Sequence, residues 1–485
     1  MLSNKSSESK AVKAGIGYTI GNYLLKGLNF FTIPLFSRLL STSDYGIVNT
    51  FNAYEAIVYV LIGLAIHSSY KNARYKYKRI DEGAETGKDY NTYLSATMVL
   101  LLFSLVCWGL GINILSPLLS NWVEFNRAGL NILIIYAFSN AVIVCFNTYV
   151  GIDYKYKSFL TVATISAVAN IALSILLIKF VFKEQAYWGR ILGTAIPSCL
   201  IAVYVVSSFL KQSKPKNIKY FLKWGIHYSL PIVPHGLSQI VLGQFDRIMI
   251  TRMINSAVSG VYSFGYNIFS IVQVTANSLD SVWTPWFYEK YNQKEYQIIR
   301  KYGSLYALLI LIFSVAVMLV SPELVKLLGP EEYRESMYCV PPLIAGGYYA
   351  FLYTLPASIE YFFEKTNYTM IGTMSAACIN IVLNYIFIPR YGYVAAAYTT
   401  LATYFLYFLF HYFLSKRIVG RYIYSNKVIG LSCIVILVAN VFTCYLIPYI
   451  LIRWFLAIVI GCVTLIIEEK KYGFIMSIIH KRIKR

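Results

Sequence analysis

Apolar stretches of roughly twenty residues alternate with short polar loops along the chain. A hydrocarbon core about 30 Å thick is crossed by about 20 residues of helix. The pattern predicts spans at 14–36, 47–66, 94–115, 130–150, 159–181, 187–209 and 228–250. A second set follows at 258–279, 304–320, 340–361, 368–388, 394–414, 428–447 and 451–467. The last is the weakest, because Arg453 stands near its start. The segments are too long and too evenly apolar for barrel strands, and open sheet edges are not tolerated in lipid. The predicted fold is an all-α polytopic membrane protein of about 14 helices.

Composition agrees: 58% of residues are hydrophobic and 13% charged, outside the range of a soluble enzyme of this size. The basic residues are distributed by loop. With the N-terminus inside, the inside loops hold Lys71, Arg74, Lys76, Lys78 and Arg79, then Lys211, Lys214, Lys216, Lys219 and Lys223. Outside loops hold one or two each, such as Arg38, Arg127, Lys183 and Arg252. This bias predicts cytoplasmic termini at both ends of a multi-pass protein of the bacterial inner membrane. It also explains the net charge of +21, so nucleic acid is not an expected partner. A basic tail from Lys470 to Arg485 is suited to an anionic leaflet. The eight cysteines show no metal-ligand spacing and read as packing residues. No P-loop is present: before Gly87-Lys88, Glu82 stands where the first glycine is required. No cofactor is expected.

The chain repeats. Residues 36–57 lie over 250–271 without a gap, matching Arg38 with Arg252, Gly46 with Gly260 and Ile57 with Ile271. A weaker echo links Tyr187 to Tyr393, with Gly189 and Gly193 opposite Ala395 and Thr399. Six spans per copy give a parallel repeat, related by an axis along the membrane normal. The expected division is an N-terminal lobe at 1–210, a basic linker at 211–227, a C-terminal lobe at 228–414, and two last helices with the tail at 415–485.

Several motifs carry a resemblance. YLLKGLNF at 23–30, IPLFSRLLS at 33–41 and DYG at 44–46 resemble the first helices of polysaccharide flippases. LPIVPHG at 230–236, Asp246-Arg247, GVYS at 260–263 and WTPW at 283–286 are similar to that family's seventh and eighth helices. NIVLN at 380–384, IPRYG at 388–392 and the alanines at 395–397 resemble its eleventh-to-twelfth connection. The family is that of Wzx-like lipid-linked oligosaccharide transporters, in the multidrug/oligosaccharidyl-lipid/polysaccharide superfamily. The resemblance implies a flippase carrying an undecaprenyl-diphosphate-linked oligosaccharide from the cytoplasmic to the outer leaflet, for O-antigen, capsule or exopolysaccharide assembly. It implies that substrate, membrane lipids and glycan-assembly proteins as partners, and no enzymatic activity.

Charges inside spans are the candidate site residues, since each costs about 2.5–3.5 kcal/mol on insertion scales. Lys26 and Glu55 fall near mid-depth of consecutive spans. One reading is a buried salt bridge, or Lys26 extending toward the interface along its stem. The other is a cation for a substrate phosphate with Glu55 as counter-ion. Arg190, between Gly189 and Gly193, reads either as a phosphate fork or as an interfacial charge. Asp246 and Arg247 read as substrate contacts or as a helix-end anchor. Asp280 and Glu360, near inner span ends, are expected to be solvated, as is the Glu323-to-Glu335 loop. Pro231 and Pro234 predict a kink in the seventh span, serving as a hinge or a static bend. Asn380 and Asn384 share a helix face and are expected to bond across helices. Energy would come from an ion gradient or the membrane potential. The alternatives are a multidrug exporter of the same superfamily, or a membrane glycan polymerase or ligase.

Overall fold

A computed structural model describes residues 30–123 and 125–472. Each predicted span falls on a helix, the first being described only as α1 (Phe30–Leu39). The chain divides between Gly260 and Val261 into two compact units. The first holds α1, α2 (Thr42–Gly63), α3 (Tyr70–Lys76), α4 (Tyr90–Val123), α5 (Arg127–Ile152) and α6 (Tyr156–Leu176). It continues with α7 (Ala186–Gln212), α8 (Ile218–Ser229), α9 (Val233–Met253) and the first turn of α10 (Ser256–Asn292). The second holds the rest of α10, then α11 (Tyr296–Leu328), α12 (Val340–Leu352), α13 (Thr354–Phe362) and α14 (Thr366–Tyr391). It ends with α15 (Tyr393–Val419), α16 (Asn426–Leu446) and α17 (Ile450–Tyr472). Among the described residues, nine helices are long and apolar enough to cross a membrane. The basic tail lies almost wholly outside the described residues.

The helices are amphipathic in the inverted sense. On α4, Phe103, Val106, Leu110, Ile114 and Leu118 form an exposed stripe at helical spacing. The opposite face buries Ser95, Thr97 and Ser104. Ser104 Oγ donates to the Ile62 carbonyl at 2.9 Å, and Ser95 Oγ to the Phe209 carbonyl at 2.7 Å. Water would reverse this arrangement. Hydrocarbon enforces it, because a polar group facing lipid has nothing to bond.

In unit 1, α2 packs on α5, α7 and α9, and α6 packs on α7. The closest approach is between α2 and the start of α10. A Cβ on Gly46 would lie 1.8 Å from the Ser256 carbonyl oxygen, and one on Gly260 2.1 Å from that of Thr42. The alignment that equates Gly46 with Gly260 equates Thr42 with Ser256, so the contact is reciprocal. Ser43 and Ser256 hydroxyls lie 2.7 Å apart beside it, as do those of Thr50 and Thr251 about two turns further along α2.

The predicted seventh span begins at the last residues of α8 and passes through a 3-10 turn (Leu230–Ile232), which holds Pro231, into α9, which holds Pro234 in its first turn. Both prolines lie at this break between helices, where a missing N–H costs little. Most of α8 falls within 211–227. The tenth span is divided at Tyr353 into α12 and α13.

The basic loop after α3 is tied down by carboxylates. Arg74 grips Glu82 with two bonds of 2.9 and 2.5 Å, and Arg79 and Lys155 both pair with Asp153. The Arg74 guanidinium and the Arg79 backbone N–H hold the Glu82 carboxyl down at about 2.

In unit 2, Arg453 secures the last helix. Its Nη1 and Nη2 each donate to a Glu323 oxygen at 2.6 Å, and the remaining donors reach the carbonyls of Leu319, Leu446 and Ile447. Glu323 is therefore an inter-helix clamp, not part of a solvated face. The charge that weakened the fourteenth span in the sequence is the one that docks α17 on α11.

Two outcomes are expected. In a background without the native cysteines, Ser43→Cys with Ser256→Cys forms a disulfide under mild oxidation, and adding Gly46→Leu abolishes it. Failure of the first pair to cross-link contradicts the α2–α10 crossing. Arg453→Ala lowers stability by about 3 kcal/mol, because Glu323 loses its partner. An unchanged thermal midpoint in detergent contradicts the clamp.

Candidate functional site

The buried polar residues of unit 1 converge on α2, α5 and α7. Glu55 lies midway along α2 and is buried. Asn140 of α5 donates to its Oε1 at 2.8 Å. Tyr136, one turn earlier on α5, has its hydroxyl within reach of Asn140 and of Thr194 on α7. It lies in the electrostatic range of both Glu55 and Arg190. A chain of polar contacts therefore runs from the α2 carboxylate toward the α7 guanidinium. Tyr136 and Asn140 were missed in the sequence. Their spacing of four residues in an otherwise apolar span was the available signal.

Arg190 is held from the other side. Its Nη1 donates to Ser174 Oγ of α6 at 2.9 Å, and its guanidinium carbon lies 3.9 Å from the centre of the Phe36 ring of α1. Among the described residues it forms no ion pair. Gly189 and Gly193 do not open space around it. A Cβ on Gly193 would meet Ser174 at 2.3 Å and one on Gly189 would meet Ile178 at 2.8 Å, so both serve the close α6–α7 crossing. The alignment that equates Tyr187 with Tyr393 equates Ser174 with Asn380 and Thr194 with Thr400. Asn380 indeed donates to Thr400 at 3.4 Å between α14 and α15. Asn384 donates to Asn380 at 3.1 Å and accepts from Thr399 of α15.

Asp246 and Arg247 are both buried on α9. Arg247 donates to its own helix, at the Gly243 carbonyl and Gln244 Oε1, while its carbonyl accepts from Ser259 Oγ at 3.1 Å. Burial separates the pair from a solvated helix end. Lys26 lies outside the described residues, and so does the expected Lys26–Glu55 contact. Glu360, expected to be solvated, is fully buried against His411. Asp280 is half-buried beside Thr354. A recess of about 340 Å³ opens near Ser256, lined by Thr50, Asn126, Gln185, Tyr187, Trp188 and Thr251.

With this geometry in hand, the family described as polysaccharide biosynthesis protein matches residues 11–291. The chain belongs to that family. A protein of the Lsg locus of Haemophilus influenzae is 22% identical over 353 residues, 69% of this chain and 81% of the relative. The lipid II flippase MurJ in an inward closed conformation superposes with a TM-score of 0.67 at 15% identity, over 94% of this chain and 99% of that one. An inward-facing multidrug resistance MATE family transporter of the MOP superfamily gives 0.63 at 16%, over 82% and 94%. This member of the polysaccharide biosynthesis family is a polytopic membrane protein that shares the fold of the MurJ and MATE structures.

The Glu55–Asn140 contact makes a direct prediction. Asn140→Leu leaves a buried carboxylate without its donor and costs about 1–3 kcal/mol, whereas Glu55→Gln stays near native stability. Equal stability of the two variants in thermal unfolding contradicts the contact.

Proposed function

We propose that this chain is a flippase that moves an undecaprenyl-diphosphate-linked oligosaccharide from the cytoplasmic to the outer leaflet, by alternating access of two lobes at 1–210 and 228–414. The observation that carries the reading is Arg190. A guanidinium set in a transporter fold, met among the described residues by a hydroxyl and a ring face, keeps donors available for an anion of planar, bidentate geometry. In a polysaccharide biosynthesis family, the diphosphate of a lipid-linked glycan is the anion that fits. Glu55, Asp246 and Arg247 complete the proposed cavity, and Lys26 adds a second cation. Glu55 moderates the cationic charge while the cavity is empty.

The recess beside Trp188 and Tyr187 carries the amides and hydroxyls that sugar rings bond and the aromatic faces on which they stack. The loop charges place both termini in the cytoplasm of a bacterial inner membrane. That places the recess, and the Gly46–Gly260 crossing next to it, at the outer side, where the crossing parts when the outer side opens. A negatively charged substrate gains about 2.3 kcal/mol per charge per 100 mV on moving outward, so the membrane potential favours export without ATP. A multidrug exporter would favour a cavity with net acidic character for cationic drugs, and Arg190 weighs against it. A polymerase or ligase finds no support in a transporter fold.

The test is glycan export in cells lacking their own flippase, at matched membrane abundance. The intact chain restores export. Arg190→Gln and Lys26→Ala reduce it at least about tenfold, as the loss of one charge-assisted phosphate contact requires. Full rescue by Arg190→Gln removes that residue from the path. If the intact chain gives no rescue but exports cationic dyes, the drug-exporter reading replaces this one.

A further inference from the structure

Unit 2 contains a buried carboxylate that the flippase reading does not use. Glu360 of α13 and His411 of α15 are both fully buried, with His411 Nδ1 2.7 Å from Glu360 Oε1. Thr369 of α14 donates to the other carboxylate oxygen at 3.1 Å. His411 Nε2 has no hydrogen-bond partner among the described residues. It faces Gly372 of α14, where a Cβ would stand 2.9 Å away. Tyr353, Tyr407 and Phe410 enclose the imidazole.

The protons in this pair can be counted. With Glu360 ionised and His411 neutral, Nδ1–H donates to the carboxylate, and one negative charge is left in a medium that solvates it poorly. One more proton, on Nε2, makes the pair neutral overall but creates an N–H with no acceptor here. Neither state satisfies charge and hydrogen bonding together. The geometry thus leaves one ring nitrogen, Nε2, open to a proton. The surrounding groups do not decide the matter. Tyr353, Tyr361 and Tyr407 are uncharged near neutral pH, and Tyr407 already shares a bond with Thr373 at 2.9 Å. The neighbouring carboxylate Asp280 lies beside Thr354 and within electrostatic range of Tyr361. Among the described residues no lysine or arginine pairs with Glu360. The exposed Glu364 and Lys365 follow Glu360 within about one and a half turns.

We propose that Glu360 and His411 form a proton-binding site that loads one proton at His411 Nε2, on the side left open by Gly372. As a proton site it stands without reference to any substrate. As the point where a proton gradient drives transport, it rests on the flippase reading above.

The experiment uses the full chain in lipid nanodiscs with 15N-labelled histidine, followed by NMR from about pH 5 to pH 9. His411→Gln identifies the His411 signals among the five histidines. The expected result is a His411 ring that passes between neutral and imidazolium forms within that range. In Glu360→Gln its proton affinity falls at least about tenfold. A ring that does not titrate, or that titrates identically in a folded Glu360→Gln variant, overturns the proposal. Should Glu360→Gln fail to fold, Thr369→Val keeps the pair but removes one donor from the carboxylate. It raises the His411 affinity, and an unmoved titration there also overturns the proposal. No glycan is present in this measurement, so its outcome is separate from success or failure in the export assay.

Discussion

The absence of water around the helices is the constraint on which the rest of this structure depends. A polar group in hydrocarbon has no solvent to bond, so each one is turned inward and given a partner. The exposed apolar stripe of α4 and its buried serines are one consequence. The close crossings are another. With no hydrophobic drive to press helices together in lipid, association rests on van der Waals contact and inter-helix hydrogen bonds, and both need small side chains at the contact. Gly189 and Gly193 let α7 meet α6 backbone to side chain. Gly46 and Gly260 let α2 and α10 approach more closely still.

That last contact links evolutionary repeat to mechanics. Equivalent glycines touch one another, and each also receives the carbonyl of the residue four positions before its counterpart. Any side chain on either glycine would strike backbone rather than a movable side-chain tip, so the crossing has little capacity to adjust. It is held beside the glycines by single hydroxyl pairs, Ser43 with Ser256 and Thr50 with Thr251. A contact of close-fitting backbone and a few neutral hydrogen bonds has no buried ion pair to break when it opens.

The spans were legible because length and hydropathy are local properties, and the loop charges added orientation by the same local logic. The repeat was legible as equivalence, since Arg38 aligns with Arg252 and Gly46 with Gly260. Adjacency was not legible, because an alignment says which residues correspond and not which ones touch. Burial of charges failed to show for a related reason. Arg453 and Glu323 look like a defect and a solvated loop when read one at a time, and become a clamp only when α17 lies on α11. Glu360 looked interfacial from its position near a span end. Its burial depends on α14 and α15 folding across it. For the site in unit 1, the charged residues announced themselves, while Asn140, Tyr136 and Ser174, which fix their positions, were hidden among ordinary membrane-helix residues.

The buried charges solve the same electrostatic problem to different degrees, and the degree indicates the use. Arg453 has Glu323 and three carbonyls, so every donor is engaged and the charge is neutralised where it stands. Such a group fixes helices and has nothing left to offer a ligand. Glu55 has a neutral amide donor, which solvates the carboxylate without cancelling its charge. Arg190 has a hydroxyl and a ring face, again solvation without a counter-ion among the described residues. Glu360 and His411 share protons between themselves and leave one nitrogen unsatisfied. Structural economy alone would have paired or removed these last charges, since a well-packed apolar side chain is usually at least as stable. Incomplete compensation is the property that separates them from Arg453. Arg453, with every donor engaged, differs in this from Arg190 and from the Glu360–His411 pair.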